Sequence, residues 1–270
     1  MKFIAKLILT IIFIPVFLIF IFAVNLRFQF LLPSFWQNTF NENGKYSKLS
    51  VSISKNLISQ TVASGGNAGD VKILTDLISA DNLKDIIDRN ISNFLQYANG
   101  KAAKVIVYLP VSKIPAALLS ENFGNVSEQM SLTDFLKEFN ISGISAAQIQ
   151  FVSYLGIGSW IFLIVSTLLM VLLLYLLYLC ENPGTKLIAP GTALIISGVI
   201  ALLAGSIGTI VRTSWSTQLA GSSNIGDLFL GIIVPPVIQG VLGVWFSFAI
   251  AAVILGVILF FMKRPLYNKR

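Results

Sequence analysis

Four stretches of this chain carry no Asp, Glu, Lys or Arg for 20 residues or more: Leu7–Leu26, Phe139–Cys180, Leu187–Val211 and Leu228–Met262. A helix that crosses the hydrocarbon core of a bilayer needs about 20 mostly apolar residues. Each window supplies them, so the sequence predicts an all-α integral membrane protein with four transmembrane helices. Composition points the same way. Only 11% of residues are charged and 55% are hydrophobic, whereas soluble domains hold about 25% charged residues.

The first window follows a short basic start, Met1 to Lys6, as a secretory signal does. Its apolar run is longer than the roughly 7–15 residues of a signal core. A cleavage site needs small residues in an alternating pair. Near its end only Ala23 fits, and Ile21 stands where the partner should be. Residues 1–26 therefore read as an uncleaved transmembrane anchor.

Orientation follows from the cations in the short flanks. Lys2, Lys6, Lys186, Lys263, Arg264, Lys269 and Arg270 fall on one side, and the loop after the third window carries only Arg212 and Asp227. The seven-cation side reads as cytoplasmic, with both termini there. Residues 27–150 then form an extracytoplasmic helical domain between helices 1 and 2, and residues 151–270 a three-helix transmembrane domain with a cytoplasmic C-terminus. A bacterial inner membrane suits the short basic termini and the near absence of cysteine. The outer segment, 27–150, holds 11 basic and 10 acidic residues and is near neutral, so the surplus of the net +7 resides in the membrane flanks. It reads as a topology signal and a contact with anionic lipid, not as a nucleic-acid footprint.

The outer segment reads as a small helical assembly. After the first window comes "NLRFQFLLPSFWQNTF", whose Phe28, Phe30, Phe35, Trp36 and Phe40 read as an interfacial aromatic belt. Tyr46, Leu49, Ile53 and Leu57 make one helical stripe. The strongest helix signal is "DNLKDIIDRNISNFLQYANG", with Asp81 as the expected N-cap and Leu83, Ile86, Ile87, Ile91, Phe94, Leu95 and Ala98 on one face. Lys84–Asp88 and Asp85–Arg89 are expected ion pairs at i,i+4, and Asn99-Gly100 the stop. Val105–Leu109 is a short run of β-formers before Pro110, without an evident partner. A short helix is expected from Ser112. Ser131 with Asp134 opens another in a variant capping box, with Leu132, Phe135, Leu136 and Phe139 as its stripe. The following segment is expected to run on into helix 2.

In the membrane half, "ENPGTK" reads as a tight turn that makes helices 2 and 3 a hairpin. Gly198, Ala201, Ala204, Gly205 and Gly208 of helix 3 are the candidate packing residues, because small side chains three or four apart let helices approach closely. Gly243 and Ala251 are expected to face them from helix 4. Pro235-Pro236 reads as the entry into that helix, after an interfacial segment.

Much chemistry is missing. There is no histidine and a single cysteine, Cys180, so His-based acid–base catalysis, Ser-His-Asp triads and thiolate metal sites are excluded. There is no phosphate-binding or dinucleotide fingerprint. Asp81, Asp85 and Asp88 fit a solvated helix face better than a cation site. No charged residue lies inside a window, which argues against a coupled transporter. No catalytic, cofactor or metal residue is expected, and no cofactor. The expected partners are the lipid bilayer and other membrane-protein subunits or further copies of the chain. The expected function is non-enzymatic: an accessory or partner-docking subunit of a membrane assembly, acting through the outer domain. The alternative is an oligomeric channel or lipid-handling protein built on helices 2–4.

Overall fold

A computed structural model describes residues 2–41, 44–63, 68–113, 127–140, 145–219 and 225–262. In chain order its elements are α1 Lys2–Asn25, α2 Pro33–Asn41, α3 Lys45–Ala63, α4 Ala68–Leu77, α5 Ala80–Ala98, β1 Ile106–Tyr108, β2 Gln129–Ser131, α6 Leu132–Glu138, α7 Ala146–Ser153, α8 Leu155–Leu179, α9 Ile188–Leu219 and α10 Ile225–Phe261. A π-helical turn, Leu26–Phe30, extends α1. Four helical segments are long and apolar enough to cross a membrane: Lys2–Phe30, Leu155–Leu179, Ile188–Trp215 and Leu230–Phe261. Of the charges that bounded the sequence windows, Glu181 and Lys186 fall between two of these segments, and Lys6, Arg27 and Arg212 lie within about one turn of a segment end, because a charge is expensive in hydrocarbon and cheap at its border.

Contacts divide the chain into two compact units. One comprises Met1–Gln29, Gly158–Arg212 and Ile238–Arg270, the other Phe30–Ile157 and Thr213–Val237. The first is a helical bundle. Phe13, Phe17 and Ile21 of α1, Leu173 and Leu177 of α8, Ala193 and Ala201 of α9, and Ala249 and Ala252 of α10 form its buried core. The core takes mostly large residues from α1 and α8, and Ala189, Ala193, Ala201, Ala249 and Ala252 beside Leu194 from α9 and α10. Small residues on the latter pair bring their backbones together, while the larger ones fill the space opposite.

The second unit is organised on α5. Its N-cap is Ser79, whose hydroxyl accepts from the Asn82 N–H at 3.4 Å, and Asp81 lies in the first turn. This corrects the expected cap. Asp81 is displaced because Leu83 N–H already reaches the Ser79 carbonyl at 2.9 Å, which starts the helix two residues earlier. Asn99 is the C-cap and Gly100 takes φ +70°, as a helix stop requires. Leu95 and Ala98 are buried with Leu31. Asn99 donates to the Leu31 carbonyl at 3.0 Å and closes that contact.

Phe40 and Tyr46 stack with ring centroids 5.7 Å apart and are buried against Ile87 and Ile91 of α5. Phe40 is therefore core, not part of an interfacial belt. Phe30, Phe35 and Trp36 do cluster, with all three pairs of centroids within 6 Å, and the Trp36 indole donates to the Phe30 carbonyl. Leu49 is buried beside Tyr46, as the stripe on α3 predicts. Of the two expected ion pairs, Asp85–Arg89 forms at 2.6 Å. Lys84 instead donates to Asn41, and Asp88 accepts from the Tyr46 hydroxyl at 2.5 Å.

Val105–Leu109 finds its partner 20 residues on. Ile106–Tyr108 pairs antiparallel with Gln129–Ser131, Ile106 opposite Ser131 and Tyr108 opposite Gln129. The fold is thus helical with one small ribbon. The Ser131 cap forms as expected, with the Asp134 N–H donating at 3.2 Å. The run toward the second long helix is interrupted. A capping box of Ser145 and Gln148 starts α7, which stops at Tyr154 before α8 begins. Most of the helix expected from Ser112 lies outside the described residues; Val111–Lys113 is a 3-10 turn. Pro235 and Pro236 lie inside α10, not at its entry.

Tyr46 has a measurable consequence. Burial, and then the bond to Asp88, push its phenol above the ordinary value of 10.0. Burial likewise pushes Tyr108 up. Folding then favours the neutral phenols. Stability from this source is fully present below pH 10 and falls as pH rises beyond it, because the unfolded phenols ionise first. We expect the alkaline loss of stability to be shallower in Tyr46→Phe, with a residual slope from Tyr108. Denaturant melts between pH 8 and 11 check this; an unchanged slope rejects it.

Candidate functional site

In the bundle unit α9 and α10 form a closely packed seam. A Cβ built on Gly198 would lie 2.7 Å from both the Ala249 carbonyl oxygen and Val253 Cγ2. One on Gly191 would lie 2.8 Å from the Gly256 carbonyl, and one on Gly256 2.6 Å from that of Gly191. Gly205 meets the Phe246 ring at 2.7 Å, and Gly208 the Leu242 side chain at 2.9 Å. Ala201 is fully buried, and its carbonyl accepts the Trp245 indole N–H at 2.7 Å. Ala204 is half-buried.

The seam has a regular sequence basis. Gly191, Gly198 and Gly205 stand seven apart on α9, and Leu242, Ala249 and Gly256 stand seven apart on α10. A seven-residue repeat keeps one stripe of each helix facing the other along its length. The expectation that Gly243 and Ala251 face α9 is corrected. Nothing lies within 4 Å of a Cβ at Gly243, and Ala251 is exposed. Gly243 is one residue from the stripe at Leu242, and one residue is about 100° of rotation. The seam also explains itself energetically. Lipid tails are as apolar as Leu, so helices associate through close packing and interhelical bonds.

The other unit presents a different surface. Val51 is 67% exposed on α3. With Ser50, Ser54, Ile58 and Thr75 it lines a shallow open groove. The sequence "YSKLSVSISKNLISQ" accounts for it. Tyr46, Leu49 and Ile53 take one face of α3, while Val51 and Ile58 stand off it among the small side chains of Ser50, Ser54 and Ser59. This groove was not legible as a site, because a helix with apolar residues on two faces shows weak periodicity.

The acidic residues of α5 are engaged in structure. Asp85 holds Arg89, whose guanidinium lies 4.4 Å from the centre of the Tyr108 ring. Asp88 serves Tyr46. Among the described residues no three His, Cys, Asp or Glu side chains are placed to hold a metal ion. Comparison with protein-family models, with curated proteins and with solved structures gives no match.

Proposed function

We propose that the chain is a non-enzymatic multi-pass membrane protein that docks a partner subunit through its second unit. That unit lies outside the membrane on this reading, and the seven-cation end of the bundle lies in the cytoplasm, in keeping with the positive-inside bias. The observation that carries the docking reading is the groove on α3: exposed Val51 with Ile58, flanked by serines small enough to admit another backbone. Native mass spectrometry after gentle extraction tests it. A stoichiometric foreign subunit that is lost in Val51→Asp supports docking. Homo-oligomers alone, with or without the substitution, reject it.

A channel or lipid-handling protein is the second reading. One observation favours it. Asn25 Oδ1, Gln29 Oε1 and Ser197 Oγ are buried in the bundle without a hydrogen-bond partner among the described residues. Buried acceptors of this kind call for water or an ion, as a wetted path provides. Conductance of the reconstituted protein, lost in Asn25→Leu, is its test.

Topology has its own test. In a Cys180→Ala background, we expect Lys101→Cys to react with a membrane-impermeant maleimide in intact cells. Asn182→Cys, exposed in the turn between α8 and α9, is expected to react only after permeabilisation. The reverse pattern inverts the topology.

A further inference from the structure

We propose that the cation-rich end of the bundle holds a specific site for the phosphate headgroup of an anionic phospholipid. The inference rests on the reading that the chain spans a membrane. A cleft of about 330 Å³ opens there between the turn that joins α8 to α9 and the C-terminal end of α10. Tyr178, Thr185, Lys186, Ile188, Leu259 and Met262 are among the residues that line it.

The turn fixes the geometry. Thr185 N–H donates to the Asn182 carbonyl at 2.9 Å, and Ile188 N–H to the Thr185 carbonyl at 2.9 Å. Lys186 is held between these bonds, half-buried, with its ammonium 4.9 Å from the centre of the Tyr178 ring. The single acidic residue in this part of the sequence is Glu181. It is already committed on both oxygens. Lys6 pairs with Oε1 at 2.7 Å, and the Thr185 hydroxyl donates to Oε2 at 3.2 Å. That carboxylate is 8% exposed. Lys186 therefore has no carboxylate partner among the described residues. A cation held against an aromatic ring, with no carboxylate partner among the described residues and beside the positive end of α9, selects an anion.

The walls select which anion. Leu187, Ile188, Leu259 and Met262 give the cleft an apolar side, and Met262 is 57% exposed. A free phosphate has no use for that side. A phospholipid uses both, with its phosphate on Lys186 and the first carbons of its acyl chains along Leu259 and Met262.

The test is lipid titration of the full chain in detergent, read by native mass spectrometry and by the thermal midpoint. The probes are phosphatidylglycerol, phosphatidylcholine and soluble glycerol 3-phosphate. The wild type is expected to retain phosphatidylglycerol in preference to phosphatidylcholine. Lys186→Gln is expected to weaken that retention about five- to tenfold, while Lys2→Gln, which removes the same charge outside the cleft, leaves it unchanged. Met262→Trp, which fills the cleft without changing charge, should weaken it too. Equal losses in Lys186→Gln and Lys2→Gln would overturn the site in favour of diffuse charge. An equal response to glycerol 3-phosphate would overturn the lipid as occupant. Should Lys186→Gln fail to fold in phosphatidylcholine, Met262→Trp decides alone, and full retention there overturns the site. Failure of the membrane reading is separately visible, because the chain would then not float with liposomes of either lipid.

Discussion

Gly198→Leu is expected to abolish the folded bundle, and Gly198→Ala to lower its thermal midpoint markedly. At this position the neighbour is backbone. The added Cβ would meet the Ala249 carbonyl oxygen and Val253 Cγ2, each at 2.7 Å, and the Val253 nitrogen at 3.1 Å. A side-chain tip can turn aside, but a carbonyl in a helix moves only if the helix moves. Overpacking of this kind costs roughly 1–3 kcal/mol for one methyl and more for a larger group. Separation of α9 from α10 would also break the Trp245 bond to the Ala201 carbonyl. Interhelical bonds in membranes are worth about 0.6–2 kcal/mol. Gly208→Ala is expected to cost much less, since Leu242 Cδ2 at 2.9 Å is the end of a flexible chain. Gly243→Ala provides the opposite sign. It has open space around it, and replacing a mid-helix Gly by Ala gains about 0.5–1 kcal/mol. Thermal midpoints of the purified variants in one detergent check the series. Equal effects at Gly198 and Gly243 would reject the seam as the support of the bundle.

The contrast between these positions shows what the sequence carries and what it withholds. Charge-free windows bounded by Lys6, Arg27, Glu181, Lys186, Arg212 and Lys263 locate the four long helices, because hydrocarbon excludes charge whatever the tertiary structure. The amphipathic face of α5 is equally plain, since seven apolar residues at helical spacing need a core. Which small residues meet is less legible. Leu242 and Gly243 are adjacent, yet a Cβ at Gly243 meets open space while Leu242 packs against Gly208. Glycine composition says nothing of that phase. The seven-residue spacing from Gly191 to Gly205 does carry it, and Leu242, Ala249 and Gly256 repeat that spacing on α10. Phe40 failed for a related reason. An aromatic near a membrane flank suits either a belt or a core, and only the position of Tyr46 decides between them. The strand pairing was hidden because Gln129-Met130-Ser131 has no β-pattern of its own. Its position comes from the partner strand and from the Ser131 cap that follows it.

Asn90→Ala is expected to release the ribbon from α5 and destabilise the second unit by about 2–4 kcal/mol. The strand β1 has two edges. One is satisfied by β2, with flanking bonds from Leu109 N–H to the Glu128 carbonyl at 2.9 Å and from Leu132 N–H to the Val105 carbonyl at 2.8 Å. The other faces α5, which has no free backbone groups to offer in mid-helix. Side-chain amides stand in for the missing strand. Asn90 Oδ1 accepts from the Tyr108 N–H at 2.7 Å, and Asn90 Nδ2 donates to the Tyr108 carbonyl at 2.9 Å. One turn on, Asn93 Nδ2 donates to the Ile106 carbonyl at 3.0 Å. An amide carries one donor and one acceptor group in the order that a peptide does, so a single Asn completes both bonds of one residue. Tyr108 is 6% exposed, so its N–H and carbonyl cannot turn to water when the amide is removed. Leaving each unpaired costs about 1–3 kcal/mol. Asn90→Asp is the sharper probe. It keeps the acceptor for the Tyr108 N–H, loses the donor, and brings a carboxylate against the Tyr108 carbonyl. It should therefore destabilise at neutral pH and recover in part at acid pH, where a protonated carboxyl can donate again. Asn93→Ala, which removes one bond, is expected to cost about half as much as Asn90→Ala. Amide hydrogen exchange at Tyr108, read beside the denaturant melts, separates this from a general loss of helix. Fast exchange there in Asn90→Ala, with the rest of α5 still protected, is the expected result, and protection retained at Tyr108 would reject the clamp.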